Sequence, residues 1–302
     1  MKNLTKIEFN TLIMLAKKVL WSDYETRKKI QEHKINIVPA NFYSDIPLVD
    51  DILKSFEYSD DIKEVYNCGI FNNETISDFI NAICVYAKEF SPPIEKEDET
   101  SYYWKNPAFS YADAMSYYCI LRYYKPKKVL EIGSGFSTMV ANQALLKNDN
   151  NAELVLIEPY PKDFLYELKT VKEIIKTFVQ EIPIDQMVSL VESSDIWFID
   201  STHTVKIGSD CLYIYLKVMP QIKKNILIHS HDIFLPFGMP QQNALEKHVY
   251  WTEQYLLYAY MLDNPKVNVK FSSVFAKYFL SDMSRKLMDG KYSDGGGSIW
   301  YE

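Results

Sequence analysis

Short apolar runs alternate with helix-like segments from about residue 100 to the end of the chain. The clearest runs lie at 128–132, 153–158, 196–200 and 225–229. Runs this short, separated by helices, are typical of βαβ units, in which helices cover both faces of a parallel sheet. The sequence therefore predicts an α/β fold with a doubly wound, mostly parallel sheet. The pattern also predicts helices near 110–124, 136–147, 162–180, 206–219 and 245–262, and strands near 267–275 and 298–302.

The first 100 residues follow a different pattern. Apolar residues within 7–20 recur near helical spacing, so they predict a helix with one apolar face. The polar, proline-bearing stretch at 91–99 is the best candidate for a boundary. We therefore predict a helical region over 1–100, which serves as a lid, an acceptor-side wall or an oligomerisation element, and an α/β domain over 101–302.

The composition indicates which kinds of molecule the protein binds and in which cellular compartment it works. With 33 Lys and Arg against 40 Asp and Glu, the chain has a net charge of −7 and lacks the basic surface that nucleic acid requires. No stretch reaches the roughly 18–20 apolar residues that cross a bilayer, and charges near the N-terminus argue against a signal peptide. The 4 scattered cysteines, without a CxxC pair, fit buried thiols in a reducing cytoplasm better than a disulfide framework or a zinc site. We therefore predict a cytoplasmic protein whose main partner is not nucleic acid.

The sharpest local signal is the run Glu131-Ile132-Gly133-Ser134-Gly135, which follows a predicted strand and opens a predicted helix. Its glycines allow a tight turn and the close approach of a ligand to the backbone. A dinucleotide fingerprint requires a third glycine where this chain has Thr138. A nucleoside without phosphates does not need that approach to the helix N-terminus. The run therefore favours a nucleoside site over an NAD site, and a turn without any ligand is the alternative.

Glu158 ends the next predicted strand, 23 residues after Gly135. An acidic side chain at this place accepts hydrogen bonds from the ribose hydroxyls of a nucleoside. The sequence therefore predicts Glu158 as a ribose ligand, and a solvent-facing carboxylate at a strand end is the alternative.

Acidic and histidine side chains follow the next two predicted strands. Asp200 and His203 come after the first of them, and His231 and Asp232 come after the second. Because neighbouring parallel strands lie about 5 Å apart, we expect these residues at the same sheet edge as the glycine run. Such a cluster either holds a divalent metal such as Mg²⁺ through Asp200 and Asp232, or supplies His203 or His231 as a general base that Asp200 orients. His229 is predicted to be a core histidine.

These three signals, in this order, resemble the class I S-adenosylmethionine-dependent methyltransferases. The run from Glu131 to Gly135 matches the family's first motif, and Glu158 matches its acidic ribose ligand. A closer similarity is to bacterial proteins of the "methyltransferase 24" type, and it extends over nearly the whole chain. The matching runs lie at 41–47, 131–138, 198–203, 229–237, 251–255 and 296–300.

The resemblance implies both fold and cofactor. The implied fold is a Rossmann-like, doubly wound, mostly parallel seven-stranded sheet with an N-terminal helical region, and 101–302 is the methyltransferase domain. The implied cofactor is S-adenosylmethionine. The residues implied to hold it are Glu131, Gly133, Ser134 and Gly135 at the amino-acid end, Glu158 at the ribose, Ser193 or Ser194 at the adenine edge, and Asp200.

The resemblance also implies the reaction. We expect O-methylation of a polar small molecule such as a sugar or glycan precursor, with His203 or His231 as general base beside Asp200. The aromatic run at 102–104, with Asn106, suits a sugar ring and is predicted to cover the acceptor. A homo-oligomer is compatible with this function. The alternatives are a non-catalytic member of the fold that binds a nucleoside or a partner protein, an NAD-dependent oxidoreductase, and a metal-dependent hydrolase.

Overall fold

The core of the protein is a seven-stranded sheet, seen in a computed structural model that describes residues 4–58, 65–149 and 151–302. The strands are β1 (Lys128–Ile132), β2 (Glu153–Ile157), β3 (Val171–Ile175), β4 (Ile196–Ile199), β5 (Leu227–Ser230), β6 (Val269–Ser272) and β7 (Ile299–Tyr301). Their spatial order is β3-β2-β1-β4-β5-β7-β6. The first five pair in parallel, and β7 runs antiparallel between β5 and β6. The predicted mostly parallel, doubly wound sheet is confirmed.

The strand order reverses at β1, which has β2 on one side and β4 on the other. Leu130 lies opposite Val155 on β2 and opposite Trp197 on β4, so the carboxyl ends of the three strands are aligned. In open α/β sheets, ligands bind in the crevice outside these ends, at the point where the order reverses. The fold therefore places the segments that follow β1, β2 and β4 around one crevice.

Twelve α-helices lie in the described parts of the chain. They are α1 (Lys6–Val19), α2 (Tyr24–Glu32), α3 (Val49–Leu53), α4 (Asn73–Ile83), α5 (Tyr111–Tyr124), α6 (Phe136–Asn148), α7 (Ile184–Glu192), α8 (Asp210–Leu212), α9 (Gln241–Lys247), α10 (Glu253–Met261), α11 (Ser273–Phe279) and α12 (Ser281–Met288). Residues Tyr213–Val218 continue α8 as a π-helix. No helix of the described residues is long and apolar enough to span a bilayer.

The predicted helix over 162–180 is wrong. The structure has β3 there, between short 3₁₀ turns at Asp163–Glu167 and Val179–Glu181. Residues 170–175 are rich in β-branched side chains, which favour a strand once a partner strand is available. That partner is β2, against which β3 forms the edge of the sheet. The spacing of apolar residues within the segment does not show this distant pairing.

The predicted long helix over 245–262 is two helices, α9 and α10. His248 ends α9 in the left-handed conformation, with a φ of 55°. A residue in this conformation commonly ends a helix. The chain then continues without regular structure as far as Thr252, the residue before α10. This interruption brings Trp251 and Thr252 to the carboxyl edge of the sheet, as described below.

The N-terminal region divides by its packing. Ile76, Ile80 and Ile83 on α4 belong to the same hydrophobic core as the sheet. In contrast, α1 and α2 bury none of their residues. The division of the chain at residue 100 and the role of 1–100 stay predictions.

Candidate functional site

The turn after β1 can be made only with glycine at position 133. Gly133 has a φ of +77°, and a Cβ placed there would lie 1.8 Å from the backbone oxygen of Asp200. Its amide donates to the backbone oxygen of Ile157 at 3.1 Å. The turn is therefore fixed against the ends of both β2 and β4, which closes one side of the crevice.

Glu131 lies directly beneath this turn and is fully buried. Its carboxylate accepts hydrogen bonds from Ser137 Oγ at 2.7 Å and Thr138 Oγ1 at 2.6 Å, and from the Tyr117 hydroxyl at 3.4 Å. Burial raises the pKa of Glu131 to about 7, although these hydrogen bonds oppose the shift. Thr138 in turn accepts from the Gly135 amide at 3.0 Å. Glu131 thus braces the loop from below, and its direct contact with a cofactor stays a prediction.

Glu158 follows β2 and contacts the open side of the same loop. One carboxylate oxygen accepts from the Ser134 amide at 3.1 Å, and the other accepts from the Tyr160 amide at 2.8 Å. A Cβ added to Gly135 would have no atom within 4 Å, so the loop faces open space at that residue. The geometry leaves room for a ligand between the loop and solvent, with a carboxylate at its border.

Ser193 and Ser194 lie elsewhere, so their predicted contact with adenine is wrong. They precede β4, and Ser193 Oγ accepts a hydrogen bond from Lys128 Nζ at 2.8 Å. Lys128 is the first residue of β1, whereas the glycine loop follows the last. Five residues of strand span about 16 Å. Residues before a parallel strand therefore lie at the edge opposite to the site.

His203, in the loop after β4, lies among three carboxylates. Its Nδ1 lies 2.8 Å from Glu253 Oε2, and its Nε2 lies 3.2 Å from Asp200 Oδ1 and 3.7 Å from Asp232 Oδ2. The residue is only 6 % exposed. Asp200 also donates its amide to Ile132 O at 2.9 Å, which joins this cluster to the end of β1.

The electrostatics of the cluster favour a protonated His203. Burial lowers the pKa of His203, but its hydrogen bonds with Asp200 and Glu253 outweigh burial and hold the pKa well above the usual value. For Asp200, burial raises the pKa, and the charges of His231 and His203 outweigh it, so the net shift is downward. The pKa of Asp232 is raised, chiefly by burial. Near neutral pH the cluster therefore contains an imidazolium beside an ionised Asp200.

The two histidines of β5 and its end differ in role. His229 is fully buried, its ring stacks on Phe198 at 3.9 Å, and its Nε2 lies 2.8 Å from Ser298 Oγ. His231 is 3 % exposed and lies toward the cluster, with its Nε2 3.9 Å from Asp232 Oδ1. Burial lowers the pKa of His231, but the charges of Asp200 and Asp232 outweigh it and raise the pKa. His229 thus packs in the core, and His231 adds charge to the cluster.

Sequence reasoning missed Glu253, which holds His203 from behind. Glu253 is 1 % exposed and accepts a second hydrogen bond from the Tyr215 hydroxyl at 2.5 Å. The Tyr215 hydroxyl also lies 2.8 Å from Ser230 Oγ. Tyr215 stands on the π-helix, a feature that is frequent at functional sites. A buried chain of polar groups therefore connects His203 to β5.

The run at 251–255 joins the loops around His203. The amides of Thr252 and Glu253 donate to the backbone oxygen of His203 at 2.8 and 3.0 Å. The Trp251 ring lies 4.8 Å from the His203 ring, and Thr252 Oγ1 accepts from the Val205 amide at 2.7 Å. Residues 251–255 therefore lie at the same site as 198–203, another run on which the family resemblance rests. Their contact with His203 could not be seen in the sequence.

Asp113 on α5 was also missed, and it anchors the loop that carries Asp232. The buried Asp113 carboxylate accepts from Ser273 Oγ at 2.7 Å and from the amides of Gly297 and Ser298. Gly296 has a φ of +113°, and a Cβ there would lie 2.3 Å from the Asp113 carboxylate. Gly297 O accepts from the amide of Ile233, the residue after Asp232, at 2.8 Å. The glycine run at 295–297 thus surrounds the Asp113 carboxylate and holds the backbone next to Asp232.

The metal role predicted for Asp200 and Asp232 stays a prediction. Both lie beside the same atom, His203 Nε2. A protonated imidazole nitrogen has no lone pair to offer a metal, since metal ligands must be deprotonated. No group of three or more His, Cys, Asp or Glu side chains in the described parts of the chain is arranged to hold a metal ion. The imidazolium already supplies a positive charge between these carboxylates.

The aromatic run at 102–104 does not cover the site. Tyr102 and Trp104 are 2 % and 1 % exposed and belong to the main hydrophobic core. The Asn106 amide donates to the backbone oxygens of Tyr103 and Phe109 at 2.8 Å each. The predicted sugar platform at this run is therefore wrong, because these rings stabilise the core.

The crevice and the cluster both lie within or beside the part of the chain that is similar to known proteins. Residues 130–233 match the family model described as a methyltransferase domain. This part of the chain is therefore similar to a methyltransferase domain, consistent with the class I family that the sequence resembles.

A protein of Archaeoglobus fulgidus, described only as uncharacterised, is 32 % identical over 133 residues, which are 42 % of this chain and 60 % of that protein. The match thus spans less than two thirds of that relative. Among solved structures, a methyltransferase of Podospora anserina bound to S-adenosylhomocysteine (SAH) has 18 % sequence identity to this chain and a TM-score of 0.42. The match covers 77 % of this chain and 96 % of that chain. An O-methyltransferase of Bacillus cereus in complex with SAH has 12 % identity and a TM-score of 0.39 over 78 % and 92 %.

Proposed function

We propose that this protein is an S-adenosylmethionine-dependent methyltransferase that methylates an oxygen of a polar small molecule such as a sugar or glycan precursor. One observation carries the proposal. The glycine loop and Glu158 border open space at the point where the strand order reverses, and Asp200 connects that space to the buried histidine cluster. A binding surface for a nucleoside thus lies beside groups that exchange protons.

The residues of the crevice fit the cofactor. S-adenosylmethionine supplies a methyl group that is already activated by its sulfonium. We assign the backbone of Gly133, Ser134 and Gly135 to the amino-acid end of the cofactor and Glu158 to the ribose. Glu158 keeps lone pairs beyond the two backbone amides that it accepts, so it is able to take ribose hydroxyls as well.

The acceptor side uses the histidine cluster. As the new carbon–oxygen bond forms, the acceptor hydroxyl loses its proton, and a positioned base accepts it. In the free protein His203 already holds a proton, because Asp200 and Glu253 favour its charged form. A positive charge bound beside Asp200 lowers the pKa of His203, since like charges disfavour the imidazolium. We assign His203 as the base in that bound state, with Asp200 as its orienting partner and His231 as the second candidate.

The test compares His203→Ala with the wild-type protein. We expect His203→Ala to abolish methyl transfer to acceptors in a screen of sugars and nucleotide sugars. Binding of S-adenosylhomocysteine (SAH) should stay within about threefold, a difference of about 0.6 kcal/mol. Surviving turnover contradicts the assignment of the base. SAH binding with no turnover on any acceptor by the wild-type protein favours the non-catalytic nucleoside-binding alternative.

The compartment and the assembly belong to the same proposal. Cys119 and Cys211 are buried thiols, which suits a reducing cytoplasm. The apolar residues of α1 are exposed, for example Ile7 at 79 %, which suits a homo-oligomer. The net charge of −7 argues against nucleic acid as the acceptor.

A further inference from the structure

A large groove opens beside the histidine cluster, between the N-terminal segment and the loops that follow β4 and α9. It has a volume of about 860 Å³, within the usual range for small-molecule sites. One wall is formed by Trp21 and residues 36–46, and the other by residues 204–206 and 248–252. We call this cavity the aromatic groove.

The aromatic groove adjoins His203 through two residues of its wall. Trp251 lines the groove and places its ring 4.8 Å from the His203 ring. Thr252 also lines the groove, and its amide donates to the His203 backbone oxygen at 2.8 Å. A ligand in the groove therefore lies one side chain away from the proposed base.

The lining of the groove combines exposed rings with neutral polar groups. Trp21 and Tyr43 are 78 % and 84 % exposed, so burial in the core does not account for these large apolar side chains. Asn36, Asn41 and Thr204 supply amide and hydroxyl groups between the rings. Aromatic faces suit the apolar C–H faces of a sugar ring, and the polar groups suit its hydroxyls.

The charges of the groove favour a neutral ligand. Asp45 and Lys206 both line it, so their opposite charges balance, and His248 is a further titratable group on its wall. The groove continues toward a second cavity of about 260 Å³ that shares Asp45, Tyr250, Trp251 and Thr252 with it. That cavity adds the carboxyl groups of Asp51 and Glu57, which disfavour an acidic ligand. This continuation gives room for more than one sugar ring.

We infer that the aromatic groove is the acceptor site and binds a neutral oligosaccharide by stacking its rings on Trp21, Tyr43 and Trp251. The hydroxyl to be methylated lies at the end of the groove next to His203. This assignment rests on the proposed function for the reaction, whereas sugar binding by the groove is testable without any reaction.

The experiment measures disaccharide binding by saturation-transfer NMR and calorimetry. The probes are maltose, cellobiose, lactose and N,N′-diacetylchitobiose, each at up to about 10 mM. We expect at least one to bind, and Tyr43→Ala and Trp21→Ala each to weaken it by about tenfold or more. Tyr166→Ala is the matched control, because Tyr166 is 63 % exposed and lies outside the groove. SAH affinity should be unchanged in all three variants.

The outcomes separate the two proposals. If no disaccharide binds, or if binding is the same in Tyr43→Ala and Trp21→Ala as in the control, the groove assignment is overturned. If disaccharides bind through the groove but SAH does not bind at all, the assignment of the reaction fails and the sugar site stands.

Discussion

Replacing Glu253 by glutamine tests whether a buried imidazolium organises the site. Glu253 Oε2 lies 2.8 Å from His203 Nδ1, and both residues are less than a tenth exposed. The amide oxygen of a glutamine at this position is able to accept the same hydrogen bond, and the side chain keeps its volume. Glu253→Gln therefore removes the charge and leaves the packing nearly unchanged.

The expected loss of stability follows from the distance. Two unit charges with centres about 4 Å apart attract by about 4 kcal/mol at an effective dielectric constant of about 20. Removing one member of a buried pair typically costs about 3–5 kcal/mol. Asp200, 3.2 Å from the other ring nitrogen, keeps part of the attraction. We therefore expect Glu253→Gln to lower the free energy of unfolding by about 3 kcal/mol near pH 6.

The effect should depend on pH in one direction. The pKa of His203 is raised in the folded protein, so its contribution is complete below the unfolded pKa of about 6.5. That contribution is lost as the pH rises through the folded pKa. The difference between the wild type and Glu253→Gln should therefore be largest near pH 6 and smaller near pH 9.

Urea unfolding followed by tryptophan fluorescence measures the difference at each pH. Asp282→Asn is the control, because it removes a carboxylate that is 93 % exposed in a surface ion pair, and it should cause no measurable change. A loss below about 1 kcal/mol that is the same at both pH values would refute the imidazolium account.

Three further predictions concern the loop, the metal and the histidine. Gly133→Ala should lower the free energy of unfolding by about 2–4 kcal/mol, because its Cβ would clash with Asp200 O and the residue has a left-handed backbone conformation. Gly135→Ala should leave the melting temperature unchanged but weaken SAH binding, because its Cβ would stand in open space. Equal behaviour of the two variants would contradict the loop geometry. Calorimetric titration with Mg²⁺ at about millimolar concentration should show no binding. If Mg²⁺ does bind, and if Asp232→Asn abolishes that binding, the carboxylates form a metal site. NMR titration should give a lower pKa for His203 with S-adenosylmethionine bound than with SAH bound, because only S-adenosylmethionine carries the positive sulfonium charge. Equal pKa values would exclude the proposed release of the proton from His203.

The sheet and its binding edge were predictable because their signals are local. Each of the runs that became β1, β2, β4 and β5 is apolar, short and followed by turn residues. Once such strands are parallel, the rule that their carboxyl ends meet places Glu158 near the glycine loop and Asp200 near His231. These neighbourhoods follow from the strand order alone and require no knowledge of side-chain contacts.

Glu253 and Asp113 were not predictable because their partners are distant in sequence. Glu253 meets His203 across 50 residues, and Asp113 meets Ser298 across 185. Each acid stands near the start of a helix, where acidic residues are common for local reasons. The edge strand β3 was missed for the same reason, since its partner decides its conformation.

The most direct test of the central claim is calorimetric titration of SAH into the wild-type protein and into Glu158→Ala, with Glu173→Ala as the control. Glu173 is an exposed glutamate on β3, outside the crevice. We predict micromolar binding, about −8 kcal/mol, to the wild type and the control, a loss of about tenfold or more in Glu158→Ala, and no binding of NAD. Failure of SAH to bind the wild type at millimolar concentration, or equal binding to Glu158→Ala, would contradict the claim that the glycine loop and Glu158 hold the nucleoside of the cofactor.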